Sequence, residues 1–159
     1  MDDAKRGEPM SSATVPLPLP APAAFHVRLD CCPEAVAKAR DLTVAFLRGL
    51  SPPLLQDAAD AVELVVSELV TNAVRHSGGR SCSLRLSADS DSIVVTVRDS
   101  STLPPRLREP DFSGEGGGFG WGLVRGLART TAVTEEANGK VVTAVLPRRE
   151  RPVHARVLV

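Results

Sequence analysis

The chain has no surplus of charge of either sign. Nineteen Lys and Arg balance nineteen Asp and Glu among 159 residues. That removes the electrostatic case for nucleic acid or an anionic membrane as a partner. Aromatic residues are scarce, at 3%, which argues against a base-stacking platform for single-stranded nucleic acid. No apolar run approaches the ~20 residues of a membrane helix. The opening MDDAKRGEPM lacks the apolar segment of a signal peptide. Cysteine is limited to Cys31, Cys32 and Cys82. The number is odd, two are adjacent and no CxxC occurs, so neither a disulfide framework nor a zinc site is expected. Reduced thiols make the cytoplasm the default compartment. What remains, 43% apolar and 24% charged, suits one soluble domain.

The most informative stretch that is present runs from Val62 to Ser77, VELVVSELVTNAVRHS. Val62, Val65, Val66, Leu69, Val70 and Ala73 recur at three- and four-residue spacing, the period of a helix with one buried face. Glu68 and Asn72 sit on the edge of that face. At ~100° per residue they lie about 40° apart, one turn above the other. A carboxamide oxygen can ligate a hard cation such as Mg²⁺. A carboxylate beside it can orient or deprotonate a hydroxyl. Such residues on a helix flank are ordinarily solvated, or cap a neighbouring loop.

Residues 1–24 carry Pro9, Pro16, Pro18, Pro20 and Pro22, a polyproline-type leader that cannot join a helix or central strand. Phe25–Asp30 alternates as a strand, with His26 on its polar side. Pro33 opens a helix over Glu34–Leu50, whose apolar spacing uses Ala35, Val36, Ala39, Leu42, Thr43 and Phe46. A second helix covers Leu54–His76 and stops at Gly78-Gly79. Ser81–Ser87 and Ser92–Arg98 form a hairpin around a turn of Ala, Asp and Ser. Residues 100–117 read as a long loop of the kind that serves as a lid. A short helix follows the glycines, over LVRGLART. Thr131–Glu136 and Lys140–Leu146 close the domain as a second hairpin, and 148–159 is a tail. This order predicts an α+β two-layer sandwich, one sheet covered on one face by helices.

Two further features bear on chemistry. Gly116-Gly117-Gly118-Phe119-Gly120-Trp121-Gly122 leads into a helix. Glycine brings backbone close to a ligand, and a helix N-terminus favours anions. No Gly-Lys-Ser/Thr follows, so it is not a Walker A loop. No strand precedes it, so it is not a Rossmann turn. Asp99, at the end of an apolar strand, either caps a loop or accepts a hydrogen bond from an exocyclic amine.

Glu68-x-x-x-Asn72-Ala73, a strand ending in Asp99, and Gly118-x-Gly120-x-Gly122-Leu123-Val124, in this order, resemble the GHKL ATPases. These are the gyrase-type, chaperone and histidine-kinase ATP-binding domains. The phrases NA-x-RH and GxGxGLV look most like the serine/threonine kinase anti-sigma factors and related single-domain regulators of actinobacteria. The resemblance covers residues 25–147. It implies the Bergerat ATP-binding fold, a mixed and mostly antiparallel sheet with helices on one face. It implies Mg²⁺ and ATP as cofactors, with Asn72 as the metal ligand and Glu68 as the general base or its orienter. Asp99 would take the adenine amine. Gly118, Gly120, Gly122 and Leu123 would close over the phosphates, with 100–117 as the lid and with Arg75 and His76 bordering the same helix end. Two positions depart from the family pattern. Ser100-Ser101-Thr102-Leu103-Pro104 stands where a GxG turn usually follows the Asp. Val141 stands where a Thr hydroxyl often helps bind adenine, which implies a weaker adenine site.

The resemblance implies a Mg·ATP-dependent protein serine/threonine kinase. Its partners would be a small antagonist protein that it phosphorylates and a sigma factor, with a homodimer left open. The rival is a non-catalytic module in which nucleotide only governs partner binding. A histidine kinase fragment would need a phospho-accepting His on a helical hairpin. The histidines are His26, His76 and His154, and the proline-rich leader cannot supply that hairpin.

Overall fold

In the computed structural model, which describes residues 23–103 and 120–148, the two-residue and four-residue periods become one sheet and three helices. The elements run β1 (Ala23–Asp30), α1 (Glu34–Arg48), α2 (Gln56–His76), β2 (Ser81–Ala88), β3 (Ser92–Asp99), α3 (Gly120–Leu127), β4 (Thr130–Glu136) and β5 (Gly139–Pro147). The sheet order is β1-β2-β3-β5-β4. Where a mixed, mostly antiparallel sheet was expected, every pairing is antiparallel. The residues of the expected leader before Ala23, most of the 100–117 loop, Gly118, and the tail beyond Arg148 lie outside the described residues.

Alternation along the strands sorts the two faces. Leu29, Leu84, Leu86, Ile93, Val95, Val97, Val142, Ala144 and Leu146 are buried beneath the helices. His26, Arg28, Arg85 and Arg98 are exposed on the opposite face, where Arg98 pairs with Glu136. On α2, Val62, Val65, Val66, Leu69, Val70 and Ala73 are all buried, as the spacing predicts. Burying each such valine or leucine contributes ~1.5–3 kcal/mol. On α1, Ala35, Ala39, Thr43 and Leu47 are buried. The Thr43 hydroxyl is satisfied there by donating to the Ala39 carbonyl at 2.7 Å. Phe46 meets Phe25 with ring centroids 6.4 Å apart, tying α1 to β1.

Most boundaries shift by one to three residues from expectation, and three of the differences bear on packing. β1 starts at Ala23, because Ala23 and Ala24 pair with Ala88 and Ser87. α3 starts at Gly120, so Gly120 and Gly122 form its first turn and do not precede it. Glycine is a poor helix former, and packing against α2 overrides that preference. Arg148, placed in the tail, is buried. It donates to the carbonyls of Asp89 and Pro52 and so fastens the end of β5 to the β2–β3 turn. That turn is built by Asp89, whose Oδ1 accepts the N–H groups of Asp91 and Ser92 at 2.8 and 2.7 Å. These bonds hold the Asp89 carboxyl below its usual range.

Candidate functional site

Helix α2 carries the first half of the site. Glu68 and Asn72 are both half-buried on its flank, beside the fully buried Leu69 and Ala73. The start of α3 comes down on Glu68. A Cβ added to Gly120 would lie 2.0 Å from Glu68 Oε2 and 3.0 Å from its Cδ. Glycine there allows this close approach, and any larger residue would have to push the Glu68 carboxylate aside. The contact sets the Glu68 carboxylate against the backbone of α3. Val124 is buried and anchors α3, while Gly122 and Leu123 are exposed.

The second half lies where β3 ends. Asp99 is 4% exposed. Its Oδ1 accepts the Ser101 N–H at 2.7 Å and the Lys140 ammonium at 3.0 Å. Lys140 is fully buried and lies directly across from Asp99 in the β3–β5 register. Both of these donors fall on Oδ1. Sequence reasoning missed Lys140, although a signal was present. Lys140, Val142, Ala144 and Leu146 share one face of the strand, and the last three are apolar.

The same alternation corrects the reading of Val141. Its side chain is on the face opposite Asp99, in a cavity of about 430 Å³ with Thr96, Arg98 and Glu136. A missing hydroxyl at Val141 therefore removes nothing from the Asp99 side of the sheet.

The turn after Asp99 needs no glycine. Ser101 N–H binds Asp99 Oδ1, and Leu103 N–H binds Ser101 Oγ at 3.2 Å. These are Asx- and Ser-type turns, in which a short polar side chain replaces a backbone acceptor. Among the described residues no non-glycine residue has a positive φ. The side chains of Asp99 and Ser101 thus hold this turn together by hydrogen bonds.

Ser77, which caps α2, joins the two halves: its carbonyl accepts the Ser100 hydroxyl at 3.3 Å. Its own Oγ is buried and has no hydrogen-bond partner among the described residues. An orphaned buried hydroxyl costs ~1–3 kcal/mol, so this end of the site is short of one polar partner. At 1.5 Å per residue, Asn72 lies about 7–8 Å back along α2 from Ser77, and Glu68 about 13–14 Å back. The site is therefore ordered along the helix: buried carboxylate, carboxamide, then carboxylate against a glycine.

That order fits a nucleotide with a metal on its phosphates. At one end Asp99 supplies a carboxylate and Ser77 an unpartnered hydroxyl, both buried. Among the described residues no cluster of three or more Asp, Glu, His or Cys could hold a metal alone. A divalent cation here would take Asn72 together with ligand and water oxygens, a coordination that suits Mg²⁺. Beside the site, Cys82 is buried and its thiol is pushed up to about 12, first by burial and then by its neighbour Cys31. All three cysteines are free thiols.

Residues 31–146 match the family model of the histidine kinase-like ATPase domain. Among solved structures, the RsbU and RsbW domains of Rv1364c from Mycobacterium tuberculosis are similar at 18% identity and a TM-score of 0.60. The alignment covers 80% of this chain and 33% of that one, so the chain spans about a third of that protein's length. The histidine kinase domain of the blue-light activated kinase EL346 from Erythrobacter litoralis aligns at 32% identity with a TM-score of 0.42. It covers 58% of this chain and 45% of its own. The catalytic domain of histidine kinase ThkA aligns at 15% identity and a TM-score of 0.46, covering 80% of this chain and 99% of its own. No curated protein matches the chain.

Proposed function

The chain belongs to the histidine kinase-like ATPase family, and from that premise we propose that it binds Mg·ATP along α2 and phosphorylates a small antagonist protein on serine or threonine. The observation that carries this reading is the Gly120 backbone set against the Glu68 carboxylate, with Asn72 one turn on. Asn72 would hold Mg²⁺, and Asp99 would receive the adenine amine on Oδ2. Gly118, Gly120, Gly122 and Leu123 would lie along the phosphates. Bound Mg·ATP supplies the phosphoryl group and neutralises its charge. Glu68 accepts a hydrogen bond from the attacking hydroxyl and orients it. Phosphoryl transfer asks for little more than such positioning and charge neutralisation.

The fold similarity to a chain that includes an RsbW domain supports a partner-switching role. In that role the protein also binds a sigma factor, in the cytoplasm. Among the described residues no helix is long and apolar enough to cross a membrane.

The rival reading, a non-catalytic nucleotide-dependent adaptor, has one observation in its favour. A carboxylate packed against the backbone of a neighbouring helix is also what a purely structural contact would give. Phosphate transfer from labelled ATP to an antagonist protein, the candidate being the product of a neighbouring gene, separates the two. The kinase reading predicts transfer by wild type and a loss of about 10²–10⁴-fold in Glu68→Gln, with ATP binding kept. Nucleotide and partner binding without any transfer would favour the adaptor.

A further inference from the structure

Lys140 has no role in the reading above, yet it is the largest fully buried side chain among the described residues. A lysine is almost never fully buried unless paired. Its position is fixed from three directions. The β3–β5 register sets it opposite Asp99. Its ammonium binds Asp99 Oδ1 at 3.0 Å. Its neighbour Gly139 brings the strands so close that a Cβ there would meet the Asp99 carbonyl oxygen at 2.0 Å. Oδ1 is further held by the Ser101 N–H. With two donors on Oδ1, the carboxyl group cannot turn without breaking both.

We propose that Lys140 is a positioning residue for base selection: it supplies the counter-charge for Asp99 and, with the Ser101 N–H, takes up Oδ1, which leaves Oδ2 as the oxygen for an incoming base. This rests on the nucleotide reading above and names what sets its specificity. An ionised acceptor makes a hydrogen bond roughly twice as strong as a neutral one, and a buried carboxylate needs a partner to stay ionised. A fixed, charged Oδ2 therefore rewards an exocyclic amine. It repels an oxo group at the same position, where two acceptors would meet. The ligand class so selected is a 6-aminopurine nucleotide. The unpartnered Ser77 hydroxyl at the same end is a second polar group for that ligand or for a water beside it.

Titration calorimetry with ADP and with purine riboside 5′-diphosphate, which lacks only the 6-amino group, tests this on the full chain. Wild type should prefer ADP by ~10- to 100-fold, the range for a hydrogen bond to a charged group. Lys140→Met, similar in length and uncharged, should prefer it by roughly threefold or less, with little change in affinity for the analogue. A lysine that only stabilises the fold would weaken both ligands alike, and an unchanged ratio in Lys140→Met overturns the proposal. If that variant does not fold, wild type carrying ¹⁵N-lysine decides. The Lys140 ammonium should stay protected from solvent exchange with and without ADP. Protection lost on adding ADP would mean that nucleotide expels Lys140 from Asp99, which also overturns it. Wild type that binds neither nucleotide removes the site itself. Wild type that selects ADP, beside an equally selective Lys140→Met, removes only the role of Lys140.

Discussion

The two ends of the site are built in opposite ways. At the Asp99 end a carboxylate is sealed in a dry interior, with a buried ammonium on one oxygen and a turn N–H on the same oxygen. At the Glu68 end a carboxylate stands on a half-buried helix flank, held in place mainly by the bare backbone of Gly120. The first arrangement gives a fixed acceptor, suited to reading a flat base. The second leaves a carboxylate half-exposed on a helix flank, where a substrate hydroxyl could reach it. The difference also predicts different failures. Damage at Asp99 should reach the whole fold, and damage at Glu68 should stay with the chemistry.

The largest effect should come from breaking the buried pair. Asp99→Ala leaves Lys140 charged and alone in the core, a loss of ~3–5 kcal/mol. Urea unfolding should show it, while Glu68→Ala shifts stability by no more than about 1 kcal/mol. Equal losses at both ends would erase the contrast. An Asp99→Ala protein that has lost nucleotide binding must accordingly be checked for folding before its binding is interpreted.

A smaller stability effect and a larger functional one should follow Gly120→Ala. The new Cβ must displace the Glu68 carboxylate, which is the free end of a flexible side chain. Overpacking costs ~1–3 kcal/mol, partly offset by the ~1 kcal/mol by which alanine exceeds glycine in a helix. Phosphate transfer should fall about 10²-fold, the penalty for a misplaced catalytic group. In Glu68→Ala/Gly120→Ala the second change should become neutral or stabilising. A Gly120→Ala enzyme with full activity would mean that the close approach does not position Glu68.

Next in size is a pH effect beside the sealed end. Cys82 is raised from 9.0 to about 12 in the folded chain. The unfolded chain therefore loses this proton first as pH rises. The stability tied to the neutral thiol is fully present below pH 9 and falls between 9 and about 12. Urea midpoints over that range should drop more steeply for wild type than for Cys82→Ala. Parallel curves would show that the thiol is not sealed. The smallest effect should come from Val141→Thr. Its side chain faces away from Asp99, so ATP affinity should change by less than about twofold. A clear gain would put that residue back beside the base.

Much of this was legible in the sequence because periodicity reports burial directly. The six buried positions of α2 come straight from three- and four-residue spacing, and the β2–β3 hairpin from alternation around Asp89. The family motif singled out Glu68, Asn72, Asp99 and the glycines, and the described ones fall on α2, the end of β3 and α3. What stayed hidden was pairing between distant segments. Nothing near Gly120 in sequence says that Glu68 lies against it. Lys140 reads as the first residue of a strand, and nothing in the sequence names its partner until the register sets it opposite Asp99. Val141 attracted attention through a motif, whereas strand alternation already assigned it to the other face. The serines after Asp99 were visible as a departure from GxG. Their compensating hydrogen bonds depend on the side-chain geometry of the folded turn.

The central claim is a metal-dependent nucleotide site running from Asp99 past Asn72 to Glu68, and calorimetry with ATP tests it most directly. With Mg²⁺ present, wild type should bind, and chelating the metal should weaken binding. Asn72→Ala changes a half-buried flank residue, so it should stay folded yet lose that Mg²⁺ dependence. A folded wild-type protein that ignores millimolar Mg·ATP, or an Asn72→Ala variant with the same metal dependence as wild type, would contradict the account.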